Sequence, residues 1–275
     1  MFRFFLGFSL AATSFLSAEL MDSNIAARPF KTKHEAPKDA IPQELRSHIQ
    51  AGINYTWAEI SPDGPETTSG SLGGLQAEYE YRAPSLIYGA LTFAWRQGNT
   101  TGEPAKRSMC YIDAQERIGY TFHKMRERVL FSLFTGLGYR HHGEDVKSSP
   151  TATPVTFDYN HLYVPLGWVL DAEINPTVSL GFDFQWMPQV YPTVKIDPIN
   201  GARWIITYEL GNFKVSLPIT IHPRKDMNWF VTIEPSFEYW KDGRTTAVTE
   251  TGVALSVPEN TNLFGGLNVN AGYSF

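Results

Sequence analysis

Cysteine is nearly absent from this chain: Cys110 stands alone in 275 residues. One thiol supports neither an internal disulfide nor a multi-cysteine metal site. Charge is also scarce. Asp, Glu, Lys and Arg make up 19% of the residues, against about 25% in an average globular domain. The formal net charge is −5, so the basic surplus expected of a nucleic-acid binder is missing. Long apolar runs are lacking too. Mean hydropathy is −0.23, and past the N-terminus no stretch approaches the roughly 18 apolar residues that a spanning helix needs. A polytopic helical membrane protein is thereby excluded. What the chain has instead is aromatic: 18 Phe, 13 Tyr and 7 Trp.

Residues 1–18 read as a secretory signal. Arg3 supplies the positive start, Phe4 to Thr13 a short apolar stretch, and Ser17 and Ala18 a small-residue cleavage site. Residues 19–45 contain Pro29, Pro37 and Pro42 among mixed charges and have no period of 2 or 3.6. They read as an extended or disordered periplasmic lead-in.

From residue 46 the chain alternates with period 2, the mark of strands with two unlike faces. Ile49, Ala51, Ile53, Tyr55 and Trp57 share one face; Gln50, Gly52, Asn54 and Thr56 share the other. Leu75, Ala77, Tyr79 and Tyr81 alternate with Gln76, Glu78, Glu80 and Arg82. Val178, Leu180, Phe182, Phe184 and Trp186 oppose Ser179, Gly181, Asp183 and Gln185. Ten such strands fit between 46 and 275, with eight or twelve as alternatives. One of them, from Trp204, changes parity near Gly211–Asn212, as at a β-bulge. Several exceed the usual 5–6 residues and match the 9–11 that cross a bilayer at a tilt.

Short connections (83–85, 124–126, 174–176, 222–227) alternate with long polar ones (61–70, 97–107, 141–154, 188–202, 241–259). This places all short turns at one end, the pattern of a transmembrane barrel with external loops. An even strand number puts both termini on the periplasmic side. Trp57, Trp95, Trp186, Trp204 and Trp240 are expected at the long-loop interface, and Trp168 and Trp229 nearer the other, as an aromatic girdle. Hydrocarbon leaves no water for unpaired backbone groups, so without helices the sheet must close. The expected fold is all-β, an antiparallel up-and-down transmembrane barrel with its polar face inward and little hydrophobic core.

Residues 46–275 resemble the small bacterial outer-membrane β-barrel proteins. The most specific likeness is the C-terminus, where Leu267, Val269, Ala271 and Tyr273 lead at alternate positions to a terminal Phe275. It looks like the β-signal that the barrel-assembly machinery recognises in that family, which makes Leu267, Val269, Tyr273 and Phe275 an implied assembly signal. Tyr163–Val164–Pro165–Leu166–Gly167 looks like a recurrent strand motif of small barrels.

The inward face should carry Glu78, Glu80, Arg82, Arg96, Asp113, Arg117, Arg140, Asp171, Asp183, Glu209, Lys214, Glu234 and Glu238. Both signs are present, so the set reads as a polar conduit or as an ion-pair network filling a narrow interior. The second is favoured, because barrels near eight strands are filled by side chains. Ten-stranded barrels include the omptin proteases, but no acidic pair and no Asp-x-His stands in a long stretch here. Inward His161, Ser132 and Ser179 show no nucleophile–base spacing. No enzyme activity, cofactor or catalytic residue is therefore assigned. His141–His142 with Glu144 and Asp145 is the best metal candidate, but adjacent strand residues point apart, so no metal is expected there. Arg96, Lys106, Arg107, Arg140, Lys195, Arg203 and Arg244 fall at the long-loop end, where they suit lipopolysaccharide phosphates or simple snorkelling. Two residues fit poorly. Glu116 falls on the lipid side, implying a bulge or a wrong parity, and Cys110 faces lipid near the rim.

The leading functional expectation is a structural or narrow-pore, porin-like outer-membrane protein. The alternative is a surface adhesin or receptor that binds an extracellular ligand through five external loops; a membrane hydrolase ranks last. Replacement of Phe275 by Ala should impair assembly, read as loss of folded protein in outer-membrane fractions. Normal insertion would remove the role given to the C-terminus.

Overall fold

The structure, a computed structural model, describes residues 47–62, 67–82, 87–102, 105–124, 129–147, 154–197, 203–224, 227–248 and 254–275. The 1–18 signal and the 19–45 lead-in lie outside the described residues. Among those described there is no helix, and none therefore long and apolar enough to cross a membrane.

Ten antiparallel staves close into one barrel. The first five are single strands: β1 (His48–Pro62), β2 (Thr68–Arg82), β3 (Ile87–Thr101), β4 (Lys106–Lys124) and β5 (Val129–Lys147). Three are broken. One is β6 (Val155–Tyr163) with β7 (Leu166–Asn175). The next is β8 (Val178–Trp186) with β9 (Gln189–Asp197). The third is β10 (Arg203–Ile205), β11 (Phe213–Ser216) and β12 (Ile219–Ile221). Then come β13 (Trp229–Asp242), a separate hairpin of β14 (Thr245–Val248) and β15 (Ala254–Val257), and β16 (Asn260–Ser274). Each stave pairs with its sequence neighbour, and β1 closes on β16 in unbroken register from His48↔Ser274 to Pro62↔Asn260.

Prolines explain the breaks. Pro165, Pro188 and Pro218 stand between β6 and β7, β8 and β9, and β11 and β12, and each lacks the N–H that a ladder requires. The Tyr163–Gly167 stretch is thus an interruption where the stave changes partner, from β9 beside β6 to β8 beside β7. The expected bulge at Gly211–Asn212 is a longer gap over 206–212, bridged by single bonds such as Ile206 N–H to the Pro192 carbonyl (3.1 Å) and Met187 N–H to the Asn212 carbonyl (2.8 Å).

The outer face is apolar and exposed. Ile53 is 63% accessible, Leu75 55% and Trp229 60%, and Phe93, Ile118, Leu137 and Phe237 continue the belt. So large a contiguous apolar surface marks a membrane-facing wall. Glu116 lies on it without any bulge: it stands between Leu91 and Leu137 in regular ladders on both sides. Cys110 is half-buried on the same face.

The long polar stretches are shorter than the sequence suggests. β3 runs to Thr101 and β4 starts at Lys106, so 97–107 is mostly strand; β5 likewise continues to Lys147. Beyond the apolar band the hydropathy contrast fades, but the ladder does not need it. The expectation of five long free loops is therefore corrected at 97–107 and 141–147, which are mostly strand, and among the described residues between β13 and β16 stands a separate hairpin.

Two glycines fit large rings of the adjacent strand. A Cβ on Gly138 would meet the Tyr163 ring at 2.1 Å, and one on Gly272 the Phe230 ring at 2.1 Å. Each pair is directly opposed in register, so the ring covers the bare backbone. Gly138→Val should displace Tyr163 and destabilise the barrel by about 1–3 kcal/mol; the urea midpoint of refolded protein measures it, and an unchanged midpoint would refute the fit.

Candidate functional site

The interior is the one place where polar chemistry gathers among the described residues, and it has two parts. At the short-turn end and middle, arginines and carboxylates meet across the lumen. Arg82 (β2) bonds Glu80 at 2.6 Å and Asp171 of β7 on another wall. Arg117 (β4) donates to Asp183 of β8 at 2.7 Å and to the Gln185 side chain at 3.1 Å, its guanidinium 4.6 Å from the Phe134 ring. Arg140 (β5) holds Asp113 at 2.7 Å and Glu238 of β13, which also lies 3.5 Å from Arg96. Glu78 faces His48 at 3.6 Å and accepts from Gln50 at 3.2 Å. Glu234 and Lys214 line the central space. Glu209 is the exception within the expected network: it sits half-buried at the rim, 3.9 Å from Lys241, whose closer partner is Glu259 at 3.0 Å. It lies in the gap before β11, where the stave has left the ladder.

Two cavities of about 80 and 70 Å³ lie between these groups, room for several waters at about 10–15 Å³ of such space each. The carboxylates and guanidiniums are each desolvated, and their attraction roughly offsets that cost.

At the opposite end the interior turns apolar. Ala58, Ile60, Leu72, Met109, Tyr111, Tyr163, Met187, Trp240 and Phe264 form a buried cluster inside the barrel. This corrects the expectation of little core, and it corrects Trp240 as a girdle residue. Trp240 is fully buried and stacks on Arg140 at 4.0 Å. Its even position on β13 puts it on the face of Glu234 and Glu238, so strand parity outranks the interfacial preference of tryptophan. Trp57, Trp95, Trp168, Trp186 and Trp229 do lie on the outer face, with Trp57, Trp186 and Trp229 exposed; the side chain of Trp204 lies outside the described residues. Leu267, Val269, Tyr273 and Phe275 also face outward. Phe275 stacks on Tyr79 at 6.2 Å, and Tyr273 meets the edge of Trp229 at 5.2 Å.

Arg96, Arg107 and Arg140 point inward rather than to the surface, Arg107 being bound to Glu144. Lys106, Lys195 and Arg244 remain at the surface, Lys195 with Asp197 at 2.8 Å; the side chain of Arg203 lies outside the described residues.

Over this cluster lie His142, His161 and Asp242. His141 faces out toward Asn160 (3.2 Å) and Asp145 accepts from Thr156, while His142 and Glu144 face in. The expected His141–Asp145 set is thus split by the pleat. Its inward half meets His161 and Asp242, which sequence spacing did not link. His161 Nε2 is 3.0 Å from Asp242 Oδ1. An Asp-x-His search misses this pair because its members come from β6 and β13. Both are buried, at 0% and 1% side-chain exposure.

No family model matches the chain, and no curated protein does. Among solved structures the outer membrane protease OmpT of Escherichia coli superposes with TM-score 0.53 and 9% identity, over 83% of this chain and 96% of that one. The fold is that of an outer-membrane β-barrel. The translocator domain of the autotransporter NalP from Neisseria meningitidis matches at TM-score 0.46 and 11% identity, over 97% and 98%. The toluene transporter TbuX of Ralstonia pickettii matches at 0.43 and 8%, over 84% and 90%. These looser overlaps bear on nothing further.

Arg140 is the hub of this barrel's interior, touching Asp113, Glu238 and Trp240. Arg140→Ala would leave buried Glu238 with Arg96 at 3.5 Å and Asp113 with the Tyr163 hydroxyl at 2.9 Å, and loss of one partner from a buried pair costs up to about 3–5 kcal/mol. The urea midpoint should fall accordingly, and a fall under about 1 kcal/mol, the level of an exposed pair, would show that the hub is not structural.

Proposed function

We propose that this chain is an integral outer-membrane barrel with a closed interior, a structural wall element and not a solute channel. The observation that carries the reading is the occupied lumen: cross-barrel ion pairs at one end and an apolar cluster at the other, with cavities of about 80 and 70 Å³ among the charged groups. Barrels of about this strand number are filled by side chains, whereas aqueous channels need about sixteen strands. The first and last strands end together at the short-turn end, which supports periplasmic termini and external long connections. Lipid covers the apolar belt, lipopolysaccharide phosphates fit Lys106, Lys195 and Arg244 at the rim, and the barrel-assembly machinery reads the outward C-terminal residues. The surface-module reading has less support, because most connections are short.

The test is conductance in planar bilayers. Repeated insertions should give no steady current steps. Steps that recur with each insertion would overturn the closed interior.

A further inference from the structure

The geometry points to a binding site for one divalent transition-metal ion of the zinc class, formed by His142 on β5, His161 on β6 and Asp242 on β13. One donor atom from each lies within 4.8 Å of the other two, and all three residues are buried. His161 Nε2 stands 3.0 Å from Asp242 Oδ1, and His142 Nδ1 stands 3.9 Å from Asp242 Oδ2. Zinc bonds nitrogen and oxygen at about 2.0–2.2 Å, so neighbouring ligand atoms of a tetrahedral ion lie about 3.4 Å apart. The two separations, each to a different oxygen of the same carboxylate, bracket that value.

Three further features fit a metal better than a plain polar cluster. First, the Nδ1 atoms of His142 and His161 are buried without an aligned hydrogen bond, while their Nε2 atoms face carboxylate oxygens of Glu144 and Asp242 at 3.6 and 3.0 Å. Such groups are rarely left unsatisfied unless something else takes their lone pairs. Second, the carboxylate is already oriented. Trp240 Nε1 donates to Oδ1 and Asn262 Nδ2 to Oδ2, each at 2.9 Å, and each oxygen keeps a lone pair for the histidine side. Third, Glu144 Oε2 faces His142 Nε2 at 3.6 Å and is itself held by Arg107. A carboxylate behind a ligating imidazole selects the tautomer that leaves the other nitrogen free for the ion. The rings are also fixed, with His142 between Tyr111 at 4.5 Å and Tyr159 at 4.7 Å.

Two imidazoles and one carboxylate select a borderline cation over calcium or magnesium, which prefer oxygen alone. A water completes the set. β5 and β6 are adjacent, and β13 approaches from across the lumen, so the ion would tie opposite walls together at the outer end. This site does not depend on the closed-barrel reading.

The experiment uses the full barrel, without a histidine tag, refolded in detergent and stripped with chelator. Zinc binding is measured by equilibrium dialysis, and cobalt is added as a visible-spectrum probe. One zinc per chain is expected, with the intense cobalt absorption of a low-coordinate nitrogen–oxygen site. His161→Gln and Asp242→Asn should each weaken binding by about 100-fold or more, and Glu144→Gln by about 10–100-fold. His141→Gln, on the outer face, should bind as wild type. Heat-modifiable gel migration checks that each variant is folded. Should the ligand variants fail to fold, the wild-type stoichiometry and cobalt spectrum decide alone. Less than one zinc per chain, a cobalt spectrum like that of the aqueous ion, or full affinity in folded His161→Gln and Asp242→Asn would overturn the site.

Discussion

Everything in this molecule follows from the backbone's need for hydrogen-bond partners where no water is available. A sheet with an apolar outer face can satisfy every N–H and C=O only by closing, and the β1–β16 ladder does so along its full length. Closure then forces the second face of each strand into a confined interior. With ten staves that interior is narrow, so whatever points inward must find a partner on another wall. Arg82 with Asp171, Arg117 with Asp183 and Arg140 with Glu238 are the result. None is a neighbour in sequence.

The two ends of the barrel obey opposite rules. Within the apolar belt, hydrophobic residues face out and charges face in. Beyond it, strands such as β4 and β5 continue into the region of Lys106 and Lys147, and water can solvate their outer face. There Lys106 and Ser108 face out while Met109 and Tyr111 face in. The strand keeps its period while the meaning of each face reverses. A conventional hydrophobic cluster therefore forms inside the barrel mouth, and it encloses the His142–His161–Asp242 group.

Much of the fold could be read from the chain. Period-2 alternation marked the staves, and Glu78, Glu80, Arg82, Arg117, Asp171 and Asp183 stand on one parity in strands that alternate well. Other features resisted for identifiable reasons. The inward position expected of Glu209 extends an alternation across 206–212, where the ladder lapses. For Trp240 residue type and strand parity disagree, and parity prevails. The long polar stretches looked like loops because hydropathy contrast reports the membrane band and not the hydrogen bonding.

The sequence by itself determined that the chain makes two-faced strands and, where the alternation is regular, which residues share a face, because side-chain direction alternates strictly along an extended backbone; that there are ten staves was decided by closure of the sheet. It could not determine which inward residues meet. His161 is 81 positions from Asp242, and the two become neighbours only when closure brings β6 and β13 to the same end of one lumen. How the inward groups pair across the lumen was likewise decided by the tertiary structure, since ring size sets which walls can reach each other.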